Sequence, residues 1–228
     1  MGKITTFEEA IDHIQSGMTV MIGGFFLAGC PFGLVKELTR RGGKLENISL
    51  ISNDAASEFK MPHAYGNELI ATGMVKKVTC AFIGHNHVAM KKIADGELEL
   101  EMQPMGTFAE RIRIGGAGIG GFLTPTGVGT PIAEGKPVIN VDGVDYILEK
   151  PLKADVALIY GSVADENGNI YTTGVARNFN VDMATAAKYT VAEVRKIVKP
   201  GEIDPSMVTI PAPFIDAIVL AKEEDYLL

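Results

Sequence analysis

Cysteine is scarce in this chain: there are two in 228 residues, Cys30 and Cys80, with no paired spacing. That excludes a disulfide framework or a cysteine-based zinc site, and it points to a reducing compartment, so a cytoplasmic location is expected. Positive charge is also short, with 21 Lys and Arg against 28 Asp and Glu and a formal charge of −7. The basic residues cluster no further than the pairs Arg40-Arg41, Lys76-Lys77 and Lys91-Lys92. Such a chain repels a phosphate backbone, and nucleic acid is not an expected partner. Long apolar runs are missing too. Phe214 to Ala221 is broken by Asp216 and falls far short of the roughly 20 residues of a membrane-spanning helix, so no membrane partner is expected.

The first ten residues lack the unbroken apolar run of a secretory signal, so the mature chain is expected to start at Met1. Gly2 and Thr6 fit a loose N-myristoylation pattern. Thr6 and Glu9 also form a capping box, with Phe7, Ala10, Ile11 and Ile14 on one helical face, and the helix is the preferred reading. With 46% hydrophobic and 21% charged residues, the chain can bury a sizeable core, and residues 1–228 read as a single domain.

The pattern of elements is βαβ. Met18 to Ile22 is a short buried strand, Phe32 to Arg41 a helix with Pro31 near its first turn, and Gly42-Gly43 its stop. Strands at Ile48 to Ser52 and Val78 to Ile83 and a helix from about Asn86 to Ala94 continue the order, with a polar, mixed segment running to Gly73. The glycine-dense stretch Gly115 to Gly121, and then Thr124 to Thr130, is too rich in glycine for helix or strand and is expected to be a shaped loop. Asp142-Gly143 between two β-rich runs marks a hairpin. Strands near Val156 to Tyr160, Tyr189 to Val194 and Phe214 to Leu220, with a helix over Val181 to Lys188, complete the set. The expected fold class is α/β: a mostly parallel open sheet with helices on both faces, plus an antiparallel hairpin excursion.

The loop Gly23 to Pro31 joins a buried strand to a helix start. In open α/β sheets ligands bind at that edge, where helix N-termini present free N–H groups to anions. Gly23, Gly24 and Gly29 allow close backbone approach, although the loop is neither a dinucleotide fingerprint nor a P-loop. Taken bare, a tight structural turn explains it equally well. His85-Asn-His87 and His63 invite a metal or general-base reading, but no Cys or carboxylate stands at ligand spacing, and no metal is expected. Arg111 and Arg113 with Glu110 read as the solvated face of a short helix. Asp165-Glu-Asn-Gly-Asn169 reads as a polar turn, which leaves Glu166 no catalytic role.

Ser16-Gly-Met-Thr-Val-Met-Ile-Gly-Gly-Phe-Phe-Leu-Ala-Gly-Cys-Pro31 resembles the signature of the alpha (A-type) subunits of family I (3-oxoacid) CoA-transferases, of the acetate/butyrate-acetoacetate type. Ser16 is the one departure, where the family prefers Asp or Asn. Pro104 to Arg113, Gly115 to Gly118, Phe122 to Thr130 and Ala176-Arg-Asn-Phe-Asn180 resemble further blocks of that family in the same order. The resemblance implies the CoA-transferase domain fold, with Gly24, Phe25, Phe26, Leu27, Ala28, Gly29 and Cys30 as the CoA-binding loop. It implies CoA or acyl-CoA as substrate rather than a tightly bound cofactor.

It also implies a partner, the beta (B-type) subunit, whose glutamate attacks the acyl-CoA. A glutamyl-CoA thioester then forms through mixed anhydrides before an incoming acid takes the CoA, with no catalytic residue in this chain. The implied assembly is an α2β2 heterotetramer and the implied acids are acetate, butyrate or acetoacetate. Met105 stands where many relatives carry a Gln thought to help hold the oxyanion. A thioether donates no hydrogen bond, so Met105 marks an acyl-pocket position of altered character, and lining that pocket is also a role for the histidines. Other readings are a CoA-transferase for 3-oxoadipate or succinate, a complex with thioesterase activity, or a stand-alone CoA or sugar-phosphate binding protein.

Overall fold

The expected capping box closes at the first helix, α1 (Phe7–Ile11): Glu9 N–H donates to Thr6 Oγ1 at 3.2 Å and Thr6 N–H to Glu9 Oε2 at 3.4 Å. This computed structural model describes residues 3–55 and 66–225, so Gly2 and His63 lie outside the described residues. After α1 come β1 (Thr19–Ile22), α2 (Phe32–Arg40), β2 (Ile48–Ser52), α3 (Gly66–Ala71), β3 (Val75–Cys80), α4 (His87–Ala94), β4 (Glu99–Met102) and α5 (Met105–Ala117). The second half runs β5 (Phe122–Thr124), β6 (Val138–Val141), β7 (Val144–Glu149), β8 (Ala154–Gly161), β9 (Val163–Asp165), β10 (Ile170–Tyr171), α6 (Asn180–Thr185), β11 (Ala187–Val194), β12 (Ile197–Val198) and β13 (Ala217–Leu220).

Seven strands make one sheet in the order β13-β11-β8-β1-β2-β3-β4, every neighbouring pair parallel. The strands alternate with period two into a core on each face. Val20, Ile22, Leu50, Leu158 and Val219 belong to the cluster that takes in α1 to α4, while Met21, Ile159, Ala192 and Ile218 belong to the cluster that takes in α5 and α6. Helices therefore cover both faces. The Asp142-Gly143 hairpin forms as expected. β6 and β7 pair antiparallel with β5 on the other side of β7, and Asp142 (φ +51°) and Gly143 (φ +83°) take the left-handed pair that a tight hairpin turn needs.

Three expectations are corrected. The glycine-dense stretch does not begin as a loop: α5 continues through Gly115 and Gly116 and ends at Gly118, at φ +71°. Glycine is required there by packing, because a Cβ would lie 2.0 Å from Leu152 O at Gly115 and 1.9 Å from Thr185 Oγ1 at Gly116. The third strand is Val75–Cys80 rather than Val78 to Ile83. The Lys76-Lys77 pair lies inside it, with Lys77 bridging to Glu99 and Glu101 of β4. β4 itself went unanticipated, as charged edge strands do. The helix expected over Val181 to Lys188 ends at Thr185, and Ala187 already belongs to β11.

Candidate functional site

In the strand order, the chain leaves β1 toward β2 on one side and returns as β8 on the other. β1 therefore stands at the topological switch point, where open α/β sheets hold their ligands outside the carboxyl ends of the strands. The loop Gly24 to Cys30 leaves β1 at that point. Gly23 N–H donates to Leu158 O of β8 at 2.9 Å, and Phe25 and Ala28 exchange backbone bonds of 3.0 and 3.1 Å, which closes the loop into a tight turn. Phe26 takes φ +49°, a conformation uncommon for a bulky residue. Its N–H donates to the Asp54 carboxylate, which stands just past β2 and holds the strained backbone in place. Gly24 and Cys30 are buried, while Phe25 to Gly29 are half-buried.

Asn180 fixes the loop from the other side of the crevice. Its fully buried amide accepts from Tyr160 N–H at 2.9 Å and donates to Gly29 O at 2.9 Å and Ala176 O at 2.8 Å. Asn178 adds a donor to Ala28 O at 2.8 Å. Gly23 is glycine because a Cβ there would lie 1.9 Å from Asn180 Oδ1. The two sequence blocks 23–30 and 176–180 thus form one structural unit.

The start of α2 does not offer free N–H groups, contrary to expectation. Glu193 of β11, fully buried, accepts from Gly33 N–H at 3.1 Å and Leu34 N–H at 2.8 Å. An internal carboxylate already occupies the anion position that the helix dipole favours. Cys30, next to this pair, is buried, and burial followed by the negative charges of Asp54 and Glu193 pushes its thiol well above the ordinary range. It is a packing residue rather than a nucleophile.

The neighbouring strands bring further groups to the same edge. Phe26, Phe82 and His85 form a ring cluster with centroids 6.0 Å (Phe26–Phe82), 5.1 Å (Phe82–His85) and 6.4 Å (Phe26–His85) apart. Asn86 caps α4 by accepting Ala89 N–H at 2.8 Å and donates to Ala55 O at 3.1 Å. Asn53 Oδ1, buried beside Asp54, meets no donor among the described residues. Met105 is the first residue of α5, just past β4, and 43% exposed.

His85 is half-buried in the ring cluster and His87 is exposed at the first turn of α4. Glu166 is exposed in a turn that Asp165 organises by accepting from Asn167 N–H at 3.0 Å and Asn169 N–H at 2.9 Å. Arg113 pairs with Glu110 on the outer face as expected. Arg111 does not. It is 8% exposed, donates to Glu101 at 2.7 Å and to Lys150 O at 2.7 Å, and lies 3.8 Å from Glu149. It is a structural cation that joins β4, α5 and the end of β7. Ser16, the departure from the family signature, accepts Glu46 N–H at 2.9 Å, a task an Asp or Asn oxygen performs equally well.

Three residues central to the site, Asp54, Asn180 and Glu193, carry no role in the sequence reading. For Glu193 a signal existed: a carboxylate inside an otherwise apolar strand must be paired if it is buried. The glycine-shaped loop at the switch point, half open and tied on both sides, stands where α/β proteins hold small molecules, at the carboxyl edge of the sheet.

Comparison with known proteins makes the class specific. The family model described as Coenzyme A transferase matches residues 4–221, and the chain belongs to that family of enzymes. It is 42% identical over 217 residues to the acetoacetyl-CoA:acetate/butyrate CoA transferase alpha subunit of Clostridium acetobutylicum, covering 95% of this chain and 97% of that one. It is 41% identical to the alpha chain of the acetate CoA-transferase of Escherichia coli K12, covering 97% and 98%. It is 42% identical to the corresponding chain of the 3-oxoadipate CoA-transferase of Acinetobacter baylyi, covering 94% and 92%. Among solved structures, the acyl-CoA transferase apoenzyme of Escherichia coli O157:H7 shares the fold with a TM-score of 0.85 at 18% identity. The match covers 96% of this chain and 47% of that one, so the chain spans about half of that enzyme's length. Glutaconate coenzyme A-transferase of Acidaminococcus fermentans gives 0.83 at 23% identity, covering 98% and 77%.

Proposed function

We propose that this chain is the alpha subunit of a short-chain acyl CoA-transferase, with residues 1–228 acting as one domain in a cytoplasmic α2β2 assembly. The Gly24–Cys30 loop holds the acyl-CoA. A glutamate supplied by the beta subunit attacks the thioester carbonyl and expels CoA thiolate, leaving a mixed anhydride. The thiolate then attacks the glutamyl carbonyl, which releases the first acid and leaves glutamyl-CoA for the incoming acid. Binding energy from the nucleotide end of CoA favours attack by a carboxylate that is otherwise a poor nucleophile.

The observation that carries this reading is the Gly24–Cys30 loop at the switch point, in a chain similar over nearly its whole length to alpha subunits. No glutamate lies within that loop; the buried Glu193 is bonded to the start of α2, and the buried Asp54 is bonded to Phe26 N–H. Acetate, butyrate and acetoacetate are the assigned acids by likeness to two of the relatives. The similarity to the 3-oxoadipate enzyme makes longer 3-oxoacids a second acceptor class. Met105 lines the acyl end.

The test is co-expression with a beta subunit, followed by an assay for acetyl-CoA formation from acetate and acetoacetyl-CoA, with this chain alone as control. Activity in the complex alone, with borohydride trapping the thioester on the beta subunit, is expected. Activity from this chain alone that Glu166→Ala abolishes refutes the assignment. Free acid without acyl transfer makes the complex a thioesterase.

A further inference from the structure

We propose that Asn180 is a positioning residue for acyl-CoA: its amide ties the Gly24–Cys30 loop to β8 and to residues 174–177, and so sets where the thioester lies. This rests on the reading of that loop as the CoA loop.

The chemistry at Asn180 admits no other side chain. Its oxygen faces a backbone donor, Tyr160 N–H, and its NH2 group faces two backbone acceptors, Gly29 O and Ala176 O, all within 2.8–2.9 Å. Aspartate supplies the acceptor and loses both donors. Leucine loses everything, and glutamine is one methylene too long for a site where a Cβ on Gly29 would already lie 2.8 Å from Asn180 Nδ2. The amide is fully buried, so water does not substitute for a lost bond. Three separate segments meet at this one group. Asn178 repeats the arrangement one step along the loop, donating to Ala28 O and Val175 O at 2.8 Å. A loop displaced by about 1 Å costs on the order of 100-fold in a positioned reaction. Asn180 therefore acts on the reaction through the loop and has no need to touch the substrate.

Asn180→Asp isolates the donor. The variant keeps the bond from Tyr160 N–H but places a carboxylate oxygen against two carbonyl oxygens, and the loop is repelled. When that carboxyl is protonated it donates to one of the two carbonyls and the loop returns, so the defect reverses with acid. The groups that meet residue 180 are the Tyr160, Gly29 and Ala176 backbone and the Asn178 amide, none of which titrates. Cys30, Arg177 and Asp182 flank the segments involved and Asp54 accepts from Phe26 N–H in the loop, and wild type measured across the same pH range controls for them.

Hydrogen exchange of the 24–30 segment in the full chain, corrected for the intrinsic pH dependence, is the first measurement. Protection of the Phe25 and Ala28 amides is expected to fall about tenfold or more at pH 8 in Asn180→Asp and to recover at pH 5.5. In the complex, KM for acyl-CoA rises by a similar factor while KM for the acid acceptor holds. Unchanged protection at pH 8, or equal loss at both pH values, overturns the proposal. Should Asn180→Asp fail to fold, Gly29→Ala pushes the loop off an intact Asn180 and must produce the same rise in KM for acyl-CoA. A wild-type complex without transferase activity refutes the proposed function, and the exchange result still decides whether Asn180 holds the loop.

Discussion

Replacing Glu193 by Gln tests the claim that an internal carboxylate neutralises the start of α2. In the native chain both carboxylate oxygens are used, one on Gly33 N–H and one on Leu34 N–H. Gln keeps one acceptor, but its NH2 group then opposes the second N–H. A hydrogen bond to a charged acceptor is worth about 1.5–3 kcal/mol, and a buried donor left bare costs about 1–3 kcal/mol. The carboxylate's attraction to the helix dipole adds up to about 2 kcal/mol in such a partly buried setting. Against these stands the relief of burying one charge fewer. The balance is a loss of about 2–4 kcal/mol, and Glu193→Ala, which strips both donors and leaves a cavity, should lose about 3–5 kcal/mol. Urea unfolding reads this as a lower midpoint at unchanged slope, and for a chain of this size Tm falls by about 4–16 °C for the Gln variant. A Gln variant within about 0.5 kcal/mol of wild type, or one less stable than the Ala variant, refutes the reasoning, since Ala leaves more helix donors bare.

Three further outcomes follow from the packing and the charges. Gly116→Ala should destabilise even though alanine gains about 1 kcal/mol of helix propensity over glycine, because its Cβ would sit 1.9 Å from Thr185 Oγ1; a rise in Tm contradicts the close packing of α5 on α6. Burial pushes Glu101 up, but Arg111 and Lys77 outweigh it and hold the carboxyl below its ordinary value of 4.5. The unfolded chain therefore takes up this proton first, so the contribution is complete above about pH 4.5 and fades as pH falls through the lower folded value. Acid unfolding of Glu101→Gln should show a shallower loss of stability across that window. Burial pushes the Cys80 thiol from an ordinary 9.0 up to about 12, with Asp54 adding to the rise against a backbone hydrogen bond from Phe82. Here the unfolded chain loses its proton first, so stability falls as pH rises from about 9 to about 12. Neither cysteine should react with iodoacetamide at pH 8 until the chain unfolds, and labelling of folded protein at the rate of a free thiol refutes the burial.

What was legible in the sequence was whatever a short window contains. The capping box of α1, the buried β1, the hairpin turn at Asp142-Gly143 and the glycine loop after β1 are each set by residues within about ten positions of one another, and all stand in the structure. What was misread depends on partners far along the chain. Gly115 and Gly116 look like a loop until Leu152 and Thr185 occupy the space a side chain would need. Arg111 looks like surface until Glu101 and Lys150 close around it. The helix start at Gly33 looks open to an anion until Glu193, 160 residues away, fills it.

The same distinction divides the site. The glycines at 23, 24 and 29 announced that the backbone must come close to something, and a ligand and a tight structural turn explained them equally well. Two of the three, Gly23 and Gly29, are required by Asn180, which lies within the protein. Gly24 is the exception: at φ +114°, its turn carries the chain out of the sheet and presents residues 25 to 29 to the crevice. A glycine-rich loop at a sheet edge therefore records two demands at once, and only coordinates separate the glycines that make room for the protein itself from the one that shapes the opening.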